Sequence, residues 1–180
     1  MPEVAIRPAL PSDLLALLEI VPAYQTARVW QMDRTYEEGQ FIIHFREIRL
    51  PRPVKVEYPR SQSQLFGERW LDQGCVLVAV LGGELVGFAR VSMDLSPQTV
   101  WLLDLVVKEK VRRQGIGTAL LVATQDWGAE RGARRMTVEM QSKNFPAIQL
   151  VRKLGFELSG YSDQYYLNQD IALFFTSWIR

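Results

Sequence analysis

Cysteine and histidine are nearly absent: the 180 residues hold one of each, Cys75 and His44. One thiol cannot form an intramolecular disulfide, and the composition fits a reducing compartment. One Cys and one His leave a Cys/His metal site short of ligands, so no metal is expected, and a His-dependent triad would have to use His44. Cys75 precedes Val76-Leu77-Val78-Ala79-Val80 and reads as a buried structural thiol. Long apolar runs are also missing; the longest fall far short of the roughly 20 residues of a membrane span. Met1-Pro2-Glu3-Val4 lacks a basic region followed by an apolar core, so the expectation is a cytoplasmic protein that engages no membrane. Neither sign of charge dominates. Lys and Arg number 21 against 20 Asp and Glu, a net charge of +1, and no global basic field argues for nucleic acid.

What is present is ordinary globular material, with 48% hydrophobic and 23% charged residues. Repeats and low-complexity tracts are lacking, and one domain over 1–180 is expected. A short strand over 3–8 ends at Pro8. Pro11-Ser12-Asp13 offers a cap for a helix beginning at Leu14, and apolar residues continue to about Trp30, with Pro22 expected to kink or break the helix. Phe41–Phe45 reads as a strand or short extended segment. Pro51, Pro53 and Pro59 mark an irregular stretch over 51–60, and a helix is expected at 62–72. Then comes a hairpin, 76–81 and 84–91 about Gly82-Gly83, and a third strand over 99–107. A helix over 118–128, a strand over 135–141, a helix over 146–154 stopped by Gly155, and strands near 156–161 and 170–177 complete the chain. Antiparallel strands followed by a strand–helix–strand–helix–strand unit give a mixed α/β fold, a mostly antiparallel sheet with helices on both faces.

The most informative stretch is Arg112-Arg113-Gln114-Gly115-Ile116-Gly117-Thr118. It follows the apolar run Val100–Val107 and opens a helix, so a buried strand feeds a basic, glycine-containing turn. Free N–H groups and the dipole at a helix start favour an anion, glycine admits a phosphate close to the backbone, and arginine adds charge-assisted hydrogen bonds. Lys108, Lys110, Arg112 and Arg113 cluster here against Glu109 alone. The turn is not a P-loop, which needs G-x-x-x-x-G-K-[ST], and not a dinucleotide fingerprint, since Leu120 stands where a third glycine would be.

The pattern Arg112-x-x-Gly115-x-Gly117 resembles the acetyl-coenzyme-A loop of the GNAT superfamily of N-acetyltransferases. Downstream, Asn144 with Ala147 three residues on, then Lys153-Leu154-Gly155-Phe156, resembles that family's second motif at a compatible spacing. The resemblance covers about residues 76–176. Met136–Gln141 and Asp170–Phe175 look most like the streptothricin-acetyltransferase-like branch. The resemblance implies acetyl-CoA as co-substrate, with a sheet splayed between the strands near 101–107 and 136–141. The pantetheine arm would lie in that gap against the backbone of Leu105, Val106 and Val107, its phosphates against Arg112, Arg113, Gln114, Gly115, Ile116, Gly117 and Thr118. Asn144 would contact the arm, or cap a helix, or both. Residues 75–180 would form the acetyl-CoA-binding core, and 1–74 would supply acceptor-side elements, the 51–60 segment shaping the acceptor pocket.

Acetyl transfer to an amine needs a base, because only the neutral amine attacks and a free alkylamine has a pKa of about 10. It also needs donors for the tetrahedral oxyanion, and a leaving thiolate that is tolerated or protonated. Glu139 shares one strand face with Thr137 and Gln141 and is the candidate base, or else a structural carboxylate hydrogen-bonded to a neighbouring loop. Asp104, embedded in Leu102-Leu103-Asp104-Leu105-Val106, is a weaker candidate and reads first as a satisfied buried carboxylate. The branch has a Glu where Leu103 stands. The family's Tyr, placed to protonate the thiolate, is Val151 here, and Tyr166 is the candidate acid, with Tyr161 and Tyr165 nearby. The expected function is an acyltransferase moving acetyl directly to a primary amine of a small molecule, antibiotics included, or of a peptide. The alternative is a catalytically weak CoA-binding regulatory domain, favoured by Val151 and Leu103; a nucleotide-binding domain of another fold is a further rival. The chain is expected to be a monomer or homodimer.

Overall fold

A computed structural model describes residues 3–179, so Met1 and Pro2 of the N-terminal segment lie outside the described residues. The strands are β1 (Val4–Pro8), β2 (Tyr24–Glu37), β3 (Gln40–Val56), β4 (Cys75–Leu81), β5 (Glu84–Ser92), β6 (Thr99–Val107), β7 (Arg135–Gln141), β8 (Glu157–Ser162) and β9 (Ala172–Trp178). The helices are α1 (Leu14–Leu18), α2 (Gln62–Phe66), α3 (Ile116–Ala129) and α4 (Phe145–Lys153).

Seven strands form one sheet in the order β1-β4-β5-β6-β7-β9-β8, and β2 and β3 form a separate two-stranded ribbon. Only β6 and β7 run parallel; the other neighbours in the large sheet are antiparallel. A parallel pair needs a crossover, and α3 provides it. One face of the sheet packs Leu102, Met136 and Phe175 with Leu120 and Leu121 of α3 and Ile148 and Val151 of α4. The other packs Val78, Phe88 and Val106 with Leu17 of α1 and Leu65 and Phe66 of α2. The mixed α/β architecture with helices on both faces is the one expected. α3 lies very close to β6: a Cβ on Gly128 would stand 2.6 Å from Val100 Cγ1.

The N-terminal third departs from expectation. The apolar residues after Leu14 do not continue a helix to Trp30; α1 ends at Leu18, and the chain becomes β2 from Tyr24. Pro22 breaks the helical run, and the residues beyond it are held by a long-range partner. β2 pairs with β3 from Tyr24↔Val56 to Glu37↔Gln40, closing on Gly39 at φ +78°. The 51–60 segment is only half irregular. β3 runs through Pro51 and Pro53, and the register jumps from Thr26↔Val54 to Arg28↔Arg49, leaving residues 50–53 bulged out of the ladder. Prolines, which cannot donate to a ladder, are tolerated in such a bulge. Loop residues 57–61 then lead into α2. That helix is shorter than the expected 62–72: it stops at Gly67, where a Cβ would stand 2.8 Å from Ser63 O. Its start is a capping box, with Ser61 N–H donating to Gln64 Oε1 at 2.8 Å and Gln64 N–H to Ser61 Oγ at 3.4 Å.

Candidate active site

The large sheet opens at its centre. β6 and β7 pair from Thr99↔Arg135 to Leu102↔Val138 and no further, so Leu103–Val107 and Glu139–Gln141 diverge. A narrow cleft lies in the divergence, lined among others by Leu105, Glu139, Asn144, Leu150, Val151 and Tyr166. On its other side β6 is irregular against β5: Arg90 faces Asp104 and Val91 faces Leu102, so Leu103 is an extra, bulged residue. The bulge reverses the alternation, placing Leu102 against α3 and Asp104 on the opposite sheet face, where it meets Tyr58, Arg60 and Arg90.

The basic turn sits where β6, α3 and α4 converge. Gly115 is the N-cap of α3 at φ +85°, Arg113 is also left-handed at φ +67°, and no side chain caps the helix. Left-handed residues this close in sequence, at an uncapped helix start, make an arrangement suited to an anion. A Cβ on Gly117 would stand 3.4 Å from Leu150 Cδ2 and 4.0 Å from Leu105 Cδ2, so the turn is seated against both walls of the cleft. Arg113 and Gln114 are exposed, Thr118 is half-buried, and Ile116 is buried. Arg112 is tied to backbone carbonyls. Its Nε donates to Val107 O at 2.8 Å and its Nη2 to Ala23 O at 2.9 Å, so its guanidinium braces the turn to the ends of β6 and of the loop before β2. Lys108 pairs with Glu84 at 2.7 Å. Asn144 caps α4, its Oδ1 accepting from Ala147 N at 3.2 Å, while it also lines the cleft.

On the opposite sheet face, a polar network spans the mouth of the cleft. Asp104 and Glu139 have fully buried side chains. Asp104 Oδ1 accepts from Tyr58 Oη at 2.6 Å and from Arg60 Nη1 at 2.8 Å, and its Oδ2 accepts from Arg90 Nη1 at 2.9 Å. Arg60 Nη1 also donates to Leu103 O at 3.0 Å, the carbonyl of the bulge. Arg60 Nη2 donates to Glu139 Oε1, and Tyr165 Oη donates to Glu139 Oε2 at 3.1 Å. Burial alone would lower the pKa of Arg60, but Asp104 and Glu139 outweigh it and hold the guanidinium above its ordinary value. Burial, then the charge of Asp104, pushes Tyr58 well up; burial, then Glu139, pushes up Tyr165 and Tyr166. All three phenols therefore carry their protons at neutral pH.

Glu139 and Asp104 are thus brought together, although 35 positions separate them, and Tyr166 lies against the same group, with the Arg60 guanidinium carbon 5.2 Å from its ring centroid. Val151 is buried in the cleft wall and offers no proton. Sequence reasoning missed Arg60, Tyr58 and Arg90. The first two fall inside the segment expected to shape the acceptor pocket, so the signal was regional; nothing local marks Arg90 as a partner of Asp104. A second network was also missed: Tyr24 Oη donates to Gln141 Oε1 at 2.7 Å and Gln141 Nε2 to Asp170 Oδ2 at 2.7 Å, tying β2, β7 and the approach to β9 together. Among the described residues, no group of three or more His, Cys, Asp or Glu is placed to hold a metal ion, and no helix is long and apolar enough to cross a membrane.

This geometry agrees with known proteins. Residues 40–156 match the acetyltransferase (GNAT) family. The streptothricin acetyltransferase of Streptomyces lavendulae is 29% identical over 164 residues, covering 89% of this chain and 85% of that protein. The aminoglycoside N(6′)-acetyltransferase type 1 of Salmonella typhimurium strain LT2 is 28% identical over 137 residues, covering 71% and 89%. The crystal structure of a nourseothricin acetyltransferase has the same fold, with a TM-score of 0.82 at 24% identity over 98% of this chain and 99% of that one. A Bacillus anthracis str. Ames protein solved with acetyl coenzyme A superposes with a TM-score of 0.75 at 16% identity, again over 98% and 99%.

Proposed function

The chain belongs to the GNAT acetyltransferase family and is an acetyl-CoA-dependent N-acetyltransferase, and we propose that its acceptor is a primary amine of a small cationic molecule, streptothricin-type antibiotics first. The acceptor class is supported by similarity to the streptothricin enzyme across most of both chains. The observation that carries the catalytic assignment is the divergence of β6 from β7 with Glu139 at its mouth.

Acetyl-CoA supplies the activated thioester. Leu105, Val106 and Val107 would hold its arm by backbone hydrogen bonds beyond the last β6–β7 rung, with Asn144 beside them. Residues 112–118 would hold its phosphates, with Arg112 acting as the brace of the turn. The uncapped start of α3 and the left-handed Arg113 and Gly115 fit that role. Glu139 accepts the ammonium proton of the acceptor, directly or through water, and Asp104 is the weaker candidate because Glu139 lines the cleft and Asp104 does not. Tyr166 donates a hydrogen bond toward the departing sulfur; a thiol pKa near 8.5 lets it leave without a strong acid. Transfer is direct. Cys75, the one thiol, begins β4 and does not line the cleft, and burial raises its pKa. Residues 1–74 would supply the acceptor side of a single domain over 1–180, through Tyr24, Tyr58 and Arg60, and 75–180 the acetyl-CoA side.

The test is thiol release from acetyl-CoA with streptothricin, and with a panel of aminoglycosides, polyamines and peptides carrying free N-termini. Turnover with streptothricin well above the panel supports the proposal. Turnover confined to peptides would overturn the acceptor class, and no thiol release with any amine would overturn the assignment of Glu139 and its neighbours.

A further inference from the structure

Arg60 stands where backbone pairing stops. Past Leu102 and Val138 no rung joins β6 to β7, yet the guanidinium of Arg60 bridges the opening, with Nη1 on Leu103 O and Asp104 Oδ1 of β6 and Nη2 on Glu139 Oε1 of β7. It comes from neither strand. It projects from the loop between β3 and α2, and the next residue, Ser61, is fixed as the N-cap of α2, whose Leu65 and Phe66 are buried in the core. The loop therefore delivers the guanidinium from a firm support. We propose that Arg60 is a positioning residue that sets the separation of the two diverging strands and orients Glu139 as proton acceptor. This rests on the reading of Glu139 given above.

The two carboxylates do not depend on Arg60 equally. Without it, Asp104 still has Arg90 and Tyr58. Glu139 would be left with the neutral phenols of Tyr165 and Tyr166 and no cation, in a site where its side chain is fully buried. The charged and titratable groups around this point are Asp104, Arg90, Tyr58, Tyr165 and Tyr166, and none of them replaces the lost bidentate contact from β6 to β7. A lysine at 60 supplies charge but not the planar fork that reaches both strands.

The experiment compares Arg60→Ala and Arg60→Lys with the native chain. Acetyl-CoA affinity is followed by calorimetry, kcat by thiol release with streptothricin across pH, and both with and without methylguanidinium. Both variants are expected to lose kcat on the order of 10²-fold, the scale of an ångström of misplacement. Acetyl-CoA should bind several-fold more weakly, the acidic limb of the kcat profile should move to higher pH, and methylguanidinium should restore part of the loss in Arg60→Ala. If Arg60→Ala does not fold, Arg60→Lys carries the test. Native kcat, affinity and pH profile in a folded variant would overturn the proposal, as would loss of kcat with an unmoved pH profile and no rescue, which marks a structural role alone. Glu139→Gln separates the two ideas: if it retains full activity, the base assignment fails, while calorimetry still decides whether Arg60 governs the strand separation.

Discussion

Gly115→Val places a β-branched side chain at φ +85°, in the left-handed region. The added Cβ would meet nothing within 4 Å, so the perturbation is conformational and not a clash. Left-handed backbone costs an L-residue about 1–2 kcal/mol. The turn can keep its shape and carry that strain, which lowers Tm by a few degrees because about 1 kcal/mol shifts a domain of this size by roughly 2–4 °C. It can instead relax, and then the left-handed geometry around Arg113 and Gly115 is lost. If acetyl-CoA binding restores the native turn, the strain appears in Kd as a factor of about 5–30. The assay is titration calorimetry with acetyl-CoA beside a thermal melt. Gly115→Asn should lie between native and Val, because Asn accepts left-handed backbone better than a β-branched residue does. A folded Gly115→Val chain with both native Tm and native Kd has relaxed the turn without loss of acetyl-CoA, and would refute the assignment of this turn to the phosphates.

Glu139→Gln is expected to lower kcat about 10²–10⁴-fold at neutral pH with acetyl-CoA affinity nearly unchanged, read by thiol release and calorimetry; full activity would remove Glu139 as the base. Gly128→Ala drives a methyl against Val100 and should destabilise by about 1–3 kcal/mol, seen as a lowered denaturation midpoint, as overpacked cores do. Asp13 is held below its ordinary pKa by its hydrogen bond from Arg7 above all. Its stabilisation is therefore present above the unfolded value of about 3.9 and is lost as pH falls through the lowered native value. Arg7 is substantially exposed, so Asp13→Asn should cost only a fraction of a kcal/mol at pH 6, a difference from native that vanishes in denaturation curves at strongly acidic pH.

The distribution of what could be read from sequence has physical causes. From β4 onward, turns are punctuated by Gly82-Gly83, Gly132 and Gly155, strands alternate or run apolar, and local pattern suffices: the strand expected at 135–141 is β7 itself. Residues 24–37 fail that test because their partner, β3, decides their conformation, and Pro51 and Pro53 conceal that partner behind a bulge. The site divides the same way. Glu139 and Asp104 stand out as carboxylates inside apolar strands. Arg60 contacts them across 79 and 44 positions, and an arginine in a proline-rich stretch carries no sign of so distant a partner.

The strand order has a consequence for how the molecule is made. β9, last in sequence among the strands, lies between β7 and β8. Until it is synthesised, β7 has an open edge beside the nascent cleft, and β8 has no sheet to join. An unpaired strand edge is a template for another chain. Since β9 pairs with β7 along Arg135–Gln141, the segment that includes Glu139 is the one left uncovered longest. Variants that slow or weaken docking of β9, such as changes at the buried Leu173 or Phe175, should lose yield to aggregation during expression before they lose activity per folded molecule.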